Sequence, residues 1–543
     1  LVFSFQVKAQ EIPVLERKIT ISAQNERIDV FLKRLSQEAG CVFSYSSSAI
    51  DVGGNVSGNF VSRPLREILE EVFEGTVQIK QKGVYVILTP KPKSGKDVVI
   101  SGYVVDEDGE GIRDATIYDP ITLKSSTTDE YGYFQLEVKN PAAENFELIV
   151  NKKDFSDTLL VEEKSRFQKI LLKADAVKLD EVGKSIASSA KEFWYWTKNS
   201  VGYRNSENVR DTFNRDFQLS LVPFVGTNRK LSGSVVNDYS VNILGGYSAG
   251  TNKAEIGGLF NINRGDVRSF QLAGWFNQVG GIVSGVQLAG IANATWDEVD
   301  AVQLAGIVNF TTGQVRGVQL AGMLNLTASG IEGTQVAGIA NYAHGDVSGA
   351  QISPILNVGR KVIGSQVGLF NYSDSISGAP VGLISFVRKG YNTIELGTNE
   401  VLPLNLALRT GTRTFYNILF AGVRPEASDS LTWSFGYGIG TSPKLGKKTF
   451  LNIELSSEQL NKGNVAALNL ISKVYLGFDY QVAKNLGLFA GPTLNYRVFD
   501  SAFDSHPELF SYTDPTILSE TFYPVNDIGT QLWLGFRAGV RFF

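Results

Sequence analysis

A repeat in the middle of the chain restricts what it can fold into more than any other feature. Glutamines return at Gln271, Gln287, Gln303, Gln319, Gln335 and Gln351, and asparagines at Asn277, Asn293, Asn309, Asn325, Asn341 and Asn357, each every 16 positions. The unit reads V-x-G-h-Q-h-A-G-h-h-N and is followed by a short polar turn. An earlier unit carries Glu255 and Asn261 at these places, and a slightly shortened later one carries Gln366 and Asn371. Self-similarity at a fixed period means one supersecondary element copied many times. In residues 299–309, Val299, Ala301, Gln303, Ala305, Ile307 and Asn309 share one face, and Val302, Leu304, Gly306 and Val308 share the other. Period two with one apolar face and one amide-bearing face predicts strands. Because 16 is even, the amides keep to the same side in every copy.

Two architectures accommodate such strands. Eleven residues at roughly 3.3 Å each give about 36 Å, which, tilted by about 40°, crosses the roughly 30 Å apolar core of a bilayer. This predicts a transmembrane antiparallel β-barrel with its amides facing the lumen. The alternative for the repeat is a β-solenoid, whose stacked coils favour in-register amide ladders. Level strands of constant spacing suit that alternative, since a closed barrel needs stagger.

The chain after the repeat favours the barrel. Further candidate strands lie at 217–225 and 239–247 before it, and at 381–387, 393–397, 402–409, 415–423, 431–440, 449–455, 466–480, 486–498 and 531–543 after it, without the 16-residue period. With the repeat strands these predict 18 or 20 strands, an even number placing both ends on one side. In the last strand Leu532, Leu534, Phe536, Ala538, Val540 and Phe542 alternate with Trp533, Gly535, Arg537, Gly539, Arg541 and Phe543. A final amphipathic strand ending in Phe resembles the signal by which outer-membrane barrels are recognised for insertion, with Phe536, Val540, Phe542 and Phe543 as its candidate residues. The polar stretch 500–530 is expected to be an extracellular loop.

Composition narrows the class. At 543 residues the chain should hold several domains, and no run of eighteen apolar residues offers a helical membrane span. A net charge of −4 without a basic block gives no reason to expect nucleic acid. Cys41 is the only cysteine, which precludes an intrachain disulfide, and it reads as a small buried apolar residue. Residues 1–10 look like the end of a signal peptide cleaved after Ala9.

Ahead of the repeat lie two small domains. Over residues 17–90 the pattern alternates strand and helix. Ile28, Phe31, Leu32 and Leu35 form one helical stripe closed by Gly40; Leu65, Ile68, Leu69, Val72 and Phe73 form another, opened by a Ser62 cap and closed by Gly75. This order, with Leu35-Ser36-Gln37-Glu38-Ala39-Gly40 and Pro64-Leu65-Arg66-Glu67-Ile68-Leu69, resembles the secretin/TonB N-terminal domain, a periplasmic α+β module that in many transducers signals to an anti-sigma factor. Residues 97–173 read as short turn-bounded strands. Gly102-Tyr103-Val104-Val105-Asp106 with Thr128-Asp129-Glu130-Tyr131-Gly132-Tyr133-Phe134 resembles the carboxypeptidase-regulatory-like β-sandwich, a non-catalytic family. Residues 174–212 form a linker with an aromatic segment at Phe193-Trp194-Tyr195-Trp196, and the barrel is expected over 213–543 with the repeats at 251–372.

In starch-utilisation-type TonB-dependent receptors the same pair of domains precedes a TonB box, a plug and a barrel. Leu179, Asp180, Glu181 and Val182 look like a degenerate box, but the thirty residues 183–212 are too few for a plug. The repeat and barrel together resemble Gln/Asn-repeat surface proteins of Gram-negative bacteria. The resemblances imply an outer-membrane protein with periplasmic N-terminal domains.

No enzymatic chemistry is expected. The two histidines, His344 and His506, have no partner at metal or triad spacing, and no cofactor, catalytic residue or metal ligand is assigned. Expected partners are outer-membrane lipid, the barrel-assembly machinery, other outer-membrane or periplasmic proteins and, on the resemblance, an anti-sigma factor. A structural or assembly subunit of an outer-membrane complex fits best; a signal transducer and a passive or gated channel are the alternatives.

Overall fold

The computed structural model describes residues 12–46, 49–90, 97–139, 147–156, 158–161, 167–174, 200–426 and 431–543. The chain divides into two units, residues 1–238 with 246–249, and residues 239–245 with 250–543. The expected signal-peptide remnant, the box-like Leu179, Asp180, Glu181 and Val182, and the aromatic segment at 193–196 lie outside the described residues.

The first unit begins with an α+β module. Strand Lys18–Arg27 pairs antiparallel with Asn55–Pro64, while Val42–Ser44, Tyr85–Pro90 and Val77–Lys82 form a second small sheet. Helices Ile28–Ala39 and Leu65–Val72 bury Phe31, Leu32, Leu35, Ile68 and Leu69 against Phe60 and Val86. Gly40 ends the first helix in the left-handed conformation (φ 61°), where a side chain would be strained. The expected Ser62 cap does not form: Ser62 belongs to a strand that runs to Pro64, and the second helix starts there without a side-chain cap. Cys41 is buried, and burial pushes its thiol up to about 11.

The second module is a two-layer β-sandwich. Phe167–Leu171, Asp97–Val105 and Tyr133–Lys139 make one sheet; Thr158–Val161, Glu147–Asn151, Thr116–Tyr118 and Ser125–Thr127 make the other. Val104, Ile117, Phe134, Leu136, Val150 and Ile170 fill the space between. Asp106 and Asp129 each accept two backbone N–H bonds within their own turns. A buried contact joins the two modules: Arg66 Nε donates to Glu16 Oε1 at 2.8 Å, Tyr103 Oη donates to Glu16 Oε2 at 3.0 Å, and Arg66 stacks 4.1 Å over Tyr133.

In the second unit the repeat is a parallel stack rather than part of a barrel wall. Each coil has a strand of about seven residues, a corner, and a strand of four, as in Val299–Ala305 and Val308–Thr311. Successive coils pair parallel and in exact register, Gln287 beside Gln303 beside Gln319, and Asn293 beside Asn309 beside Asn325. Nine coils lie between Gly250 and Val387. The single eleven-residue strand expected from the alternation therefore breaks at Gly306-Ile307, and Ile307 points outward. A two-residue corner returns the chain in the same parity, so Ala305 and Asn309 both face inward and alternation cannot reveal the bend. The corner demands glycine: a Cβ on Gly306 would lie 2.0 Å from the Gly290 carbonyl oxygen, and one on Gly322 2.0 Å from that of Gly306.

A closed antiparallel barrel follows. Its strands are β1 (Thr393–Asn399), β2 (Leu404–Gly411), β3 (Tyr416–Arg424), β4 (Thr432–Thr441), β5 (Thr449–Lys462), β6 (Asn469–Ala483), β7 (Leu486–Asp500) and β8 (Ile528–Phe542). Sequential antiparallel pairing ends with β8 beside both β7 and β1, Ile394 opposite Phe542 and Asn399 opposite Arg537. An extra strand, Ile517–Tyr523, extends the edge of β8 within the stretch expected to be a loop. The mainly β architecture with a closed barrel stands, and the repeat takes the solenoid alternative. Among the described residues the barrel has eight strands instead of 18 or 20 and begins at Thr393 instead of residue 213. No helix among the described residues is long and apolar enough to cross a membrane, which leaves crossing by strands untouched.

Candidate functional site

One part of the barrel interior is built from charged residues at inward positions of five strands. Glu395 on β1, Arg409 on β2, Glu454 on β5, Asp479 on β6, and Arg537 and Arg541 on β8 converge in one cluster. Arg409 Nη1 lies 2.5 Å from Glu395 Oε2 and its Nη2 3.1 Å from Glu454 Oε2. Arg541 donates from Nε to Glu395 Oε2 at 2.7 Å and from Nη1 to Asp479 Oδ2 at 3.2 Å. Arg537 bridges Glu454, at 2.9 Å, and Glu395, and Tyr416 Oη donates to Glu454 Oε1 at 2.9 Å. Three carboxylates thus meet three guanidiniums, and the cluster carries no net charge. Burying an ion is costly unless it is paired and hydrogen-bonded, and the planar fork of arginine serves two carboxylates at once.

Apolar side chains occupy another part of the barrel. Leu402, Leu460, Ile471, Leu509 and Trp533 cluster together, with Trp533 Nε1 donating to Glu400 Oε1 at 2.9 Å. Arg424 Nη1 donates to the Val401 carbonyl at 2.8 Å. An eight-stranded barrel has an interior about wide enough for side chains to fill, and here an ion-pair cluster and an apolar cluster fill it.

The solenoid interior holds two hydrogen-bonded ladders. Gln287 Nε2 donates to Gln271 Oε1 at 2.8 Å, Gln303 to Gln287 at 2.7 Å, and so on through Gln319, Gln335, Gln351 and Gln366. Gln271 ends the row by donating to Glu255 Oε2 at 2.9 Å. The asparagine ladder runs the other way: Asn277 Nδ2 donates to Asn293 Oδ1 at 2.9 Å, Asn293 to Asn309 at 3.0 Å, and the row continues through Asn357 and Asn371 to Ser385 Oγ. The amide dipoles of the two rows therefore oppose one another. Each asparagine also donates to a carbonyl of the next coil, Asn309 to Leu320 O at 2.8 Å and Asn325 to Val336 O at 2.8 Å, which pins the corner.

The amides assigned from sequence to a barrel lumen, Gln271, Gln287, Gln303, Gln319, Gln335, Gln351, Asn277, Asn293, Asn309, Asn325, Asn341 and Asn357, are thus fully buried inside the solenoid. They hold coils together, and none lines a channel. Phe536 and Phe542 point outward from β8, Val540 shares their face, and Phe543 packs against Tyr391. The ion-pair cluster was not legible in the sequence beyond the alternation that sets Arg537 and Arg541 on the face opposite Phe536 and Phe542. Its signature is legible in retrospect: Ile394-Glu395-Leu396, Ile453-Glu454-Leu455 and Phe478-Asp479-Tyr480 each set one charge between two outward apolar residues.

No protein-family model matches the chain, and no curated protein matches it. Among solved structures, a type II cohesin-X-dockerin complex from Acetivibrio cellulolyticus (an N-terminal interface mutant) is similar at 22% identity over 14% of this chain, with a TM-score of 0.12. The match spans 58% of that chain, less than two thirds of its length, and a likeness at this score carries no argument.

Proposed function

We propose that this is a non-enzymatic outer-membrane anchor whose N-terminal domains, in the periplasm, dock other outer-membrane or periplasmic proteins as a structural or assembly subunit of an envelope complex. The filled, charge-balanced barrel interior carries this reading. A pore needs a hydrated path, and the network of Glu395, Arg409, Glu454, Asp479, Arg537 and Arg541 occupies one with mutually paired ions. That weighs against the passive-channel alternative.

Membrane anchoring draws support from the outward face. Leu404, Leu406 and Leu408 on β2, Leu476 and Phe478 on β6, and Leu534, Phe536 and Phe542 on β8 are exposed apolar residues on a closed barrel. Strands of 14 and 15 residues at about 3.4 Å per residue reach about 50 Å, ample for a tilted crossing of a roughly 30 Å core. The last strand, with Phe536, Val540, Phe542 and Phe543, is the segment the barrel-assembly machinery would recognise. The α+β module and the sandwich supply docking surfaces with no catalytic step, and the sequence resemblance of the first keeps an anti-sigma factor as its alternative partner.

Two measurements on the full chain test the proposal. Fractionation should leave it with the outer membrane, extractable only by detergent. In planar bilayers the purified protein should give no ohmic steps. Steady conductance from the native chain would overturn the anchor reading in favour of a channel, and recovery in the aqueous fraction would overturn the membrane assignment.

A further inference from the structure

The solenoid is amphipathic along its whole length. At one end of the coils most turns carry charge, with Arg268 beside Asp266, Arg316 between Glu298 and Glu332, Arg360 on Asp346 and Arg388 on Asp374, whereas the turn Gly280-Gly281-Ile282 carries none. At the other end, from the coil of Gln271 onward, the segments 270–279, 286–294, 302–311, 318–327, 334–343, 350–358, 365–373 and 380–387 contain no charged residue. The corners there expose Trp275, Ile291, Ile307, Met323, Ile355 and Leu369 in a row. Soluble proteins rarely leave so long an apolar patch uncovered.

Contacts between the last coil and the barrel fix the level of this edge. Asn417 Nδ2 on β3 and Tyr437 Oη on β4 both donate to the carbonyl of Gly382, a corner residue, the second at 2.8 Å. The polar turn of the same coil, with Val387, Arg388 and Lys389, lines a cavity together with Tyr391, Thr412, Arg413 and Phe543 at the end of the barrel where the strands begin and finish. At the last coil the charged turn thus lies level with the barrel rim, and the apolar corner lies beside its wall. Four residues of strand, as in Ile384–Val387, separate the two, about 13 Å at roughly 3.3 Å per residue, close to the depth of one leaflet's apolar half.

We propose that the corner edge of the solenoid is immersed in acyl chains of the bilayer leaflet nearest Thr393 and Phe543, extending the lipid-facing perimeter of the barrel by a half-inserted β-stack. This rests on the barrel's membrane assignment. The occupant is lipid, because the edge continues a wall that already faces lipid in that reading, and because charge returns at the level where headgroups would begin. A second copy of this chain seated on the same edge is the competing occupant.

Site-directed spin labelling separates the possibilities. In a Cys41→Ser background, single cysteines replace Ile307 on the edge, Thr312 at the polar turn and Phe536 on the barrel wall, and the full chain is reconstituted in phospholipid nanodiscs. The nitroxide at Ile307→Cys should match Phe536→Cys in high accessibility to oxygen and low accessibility to a water-soluble nickel chelate, and Thr312→Cys should show the reverse. Met323→Cys repeats the edge measurement should Ile307→Cys fail to fold. A lipid-exposed Phe536→Cys with a water-exposed edge would overturn this inference alone. Water exposure at both would overturn the barrel reading with it. An edge label shielded from both reagents and dipolar-broadened by a neighbouring copy would assign the surface to self-association.

Discussion

Gln303 shows how much one side chain holds in the stack. Its Nε2 donates to Gln287 Oε1 and its Oε1 accepts from Gln319 Nε2, each at 2.7 Å, with all three residues fully buried. Gln303→Leu keeps the volume but leaves one buried acceptor and one buried donor unpaired, at roughly 1–3 kcal/mol each. Chemical denaturation should register a loss of about 3 kcal/mol for the solenoid, whereas Thr312→Ala at the polar turn should change it little. Arg66 holds a comparable position between the N-terminal modules. Burial drives the Glu16 carboxyl above the usual carboxylate range, against the pull of Arg66 and the Tyr103 hydrogen bond. A carboxyl raised on folding favours the folded state fully below its unfolded value, and that contribution is lost as pH rises through the folded value. Arg66→Leu removes the opposing charge, so the variant should lose about 3 kcal/mol at pH 7 and recover part of it near pH 5 in thermal melts. The identity and spacing of these amides were plain in the sequence. Their partners were not, because period-two parity is the same for a ladder within a stack and for a row inside a barrel.

At the scale of elements, the coil is the unit of stability. Every backbone pairing between Val299–Ala305 and its neighbours is repeated 16 residues away, Val299 beside Val283 and Val315, Ala305 beside Ala289 and Ala321. Deleting residues 299–314 should therefore bring Gln287 onto Gln319 and Asn293 onto Asn325, and leave a shorter solenoid and an intact barrel. Deleting residues 299–306, half a coil, should set Asn309 beside Gly285 and Gln319 beside Thr295, break both amide rows and collapse the stack. Limited proteolysis distinguishes them: the full-coil deletion stays resistant across the repeat, and the half-coil deletion is cut there. Helices and hairpins of the first module were legible from stripes such as Phe31, Leu32 and Leu35. Strand Asn55–Pro64 was not, because Gly54, Gly58 and Ser62 interrupt its alternation and Pro64 imitates a helix start. All eight barrel strands were visible, since each sets outward Leu, Ile or Phe against inward polar residues; the segment 381–387 was drawn into that series because the shortened last coils lose the 16-residue period.

For the molecule as a whole, the arrangement of the repeat decides what the barrel can be. A parallel stack leaves eight strands to close a lumen that side chains fill, which is what the proposed anchor role requires. An antiparallel repeat would add its strands to the wall and open a wide, amide-lined channel. The two arrangements place different residues side by side. In the stack Val302 lies next to Val318 in register, within the Cα separation of roughly 4.4–6.8 Å that a disulfide needs. Level antiparallel strands would instead set Asp300 opposite Leu324. The deciding measurement is oxidative cross-linking of the full chain in a Cys41→Ser background. Val302→Cys with Val318→Cys should close a disulfide readily, and Asp300→Cys with Leu324→Cys should stay reduced. The opposite result would contradict the stack, and the filled eight-strand barrel would fall with it.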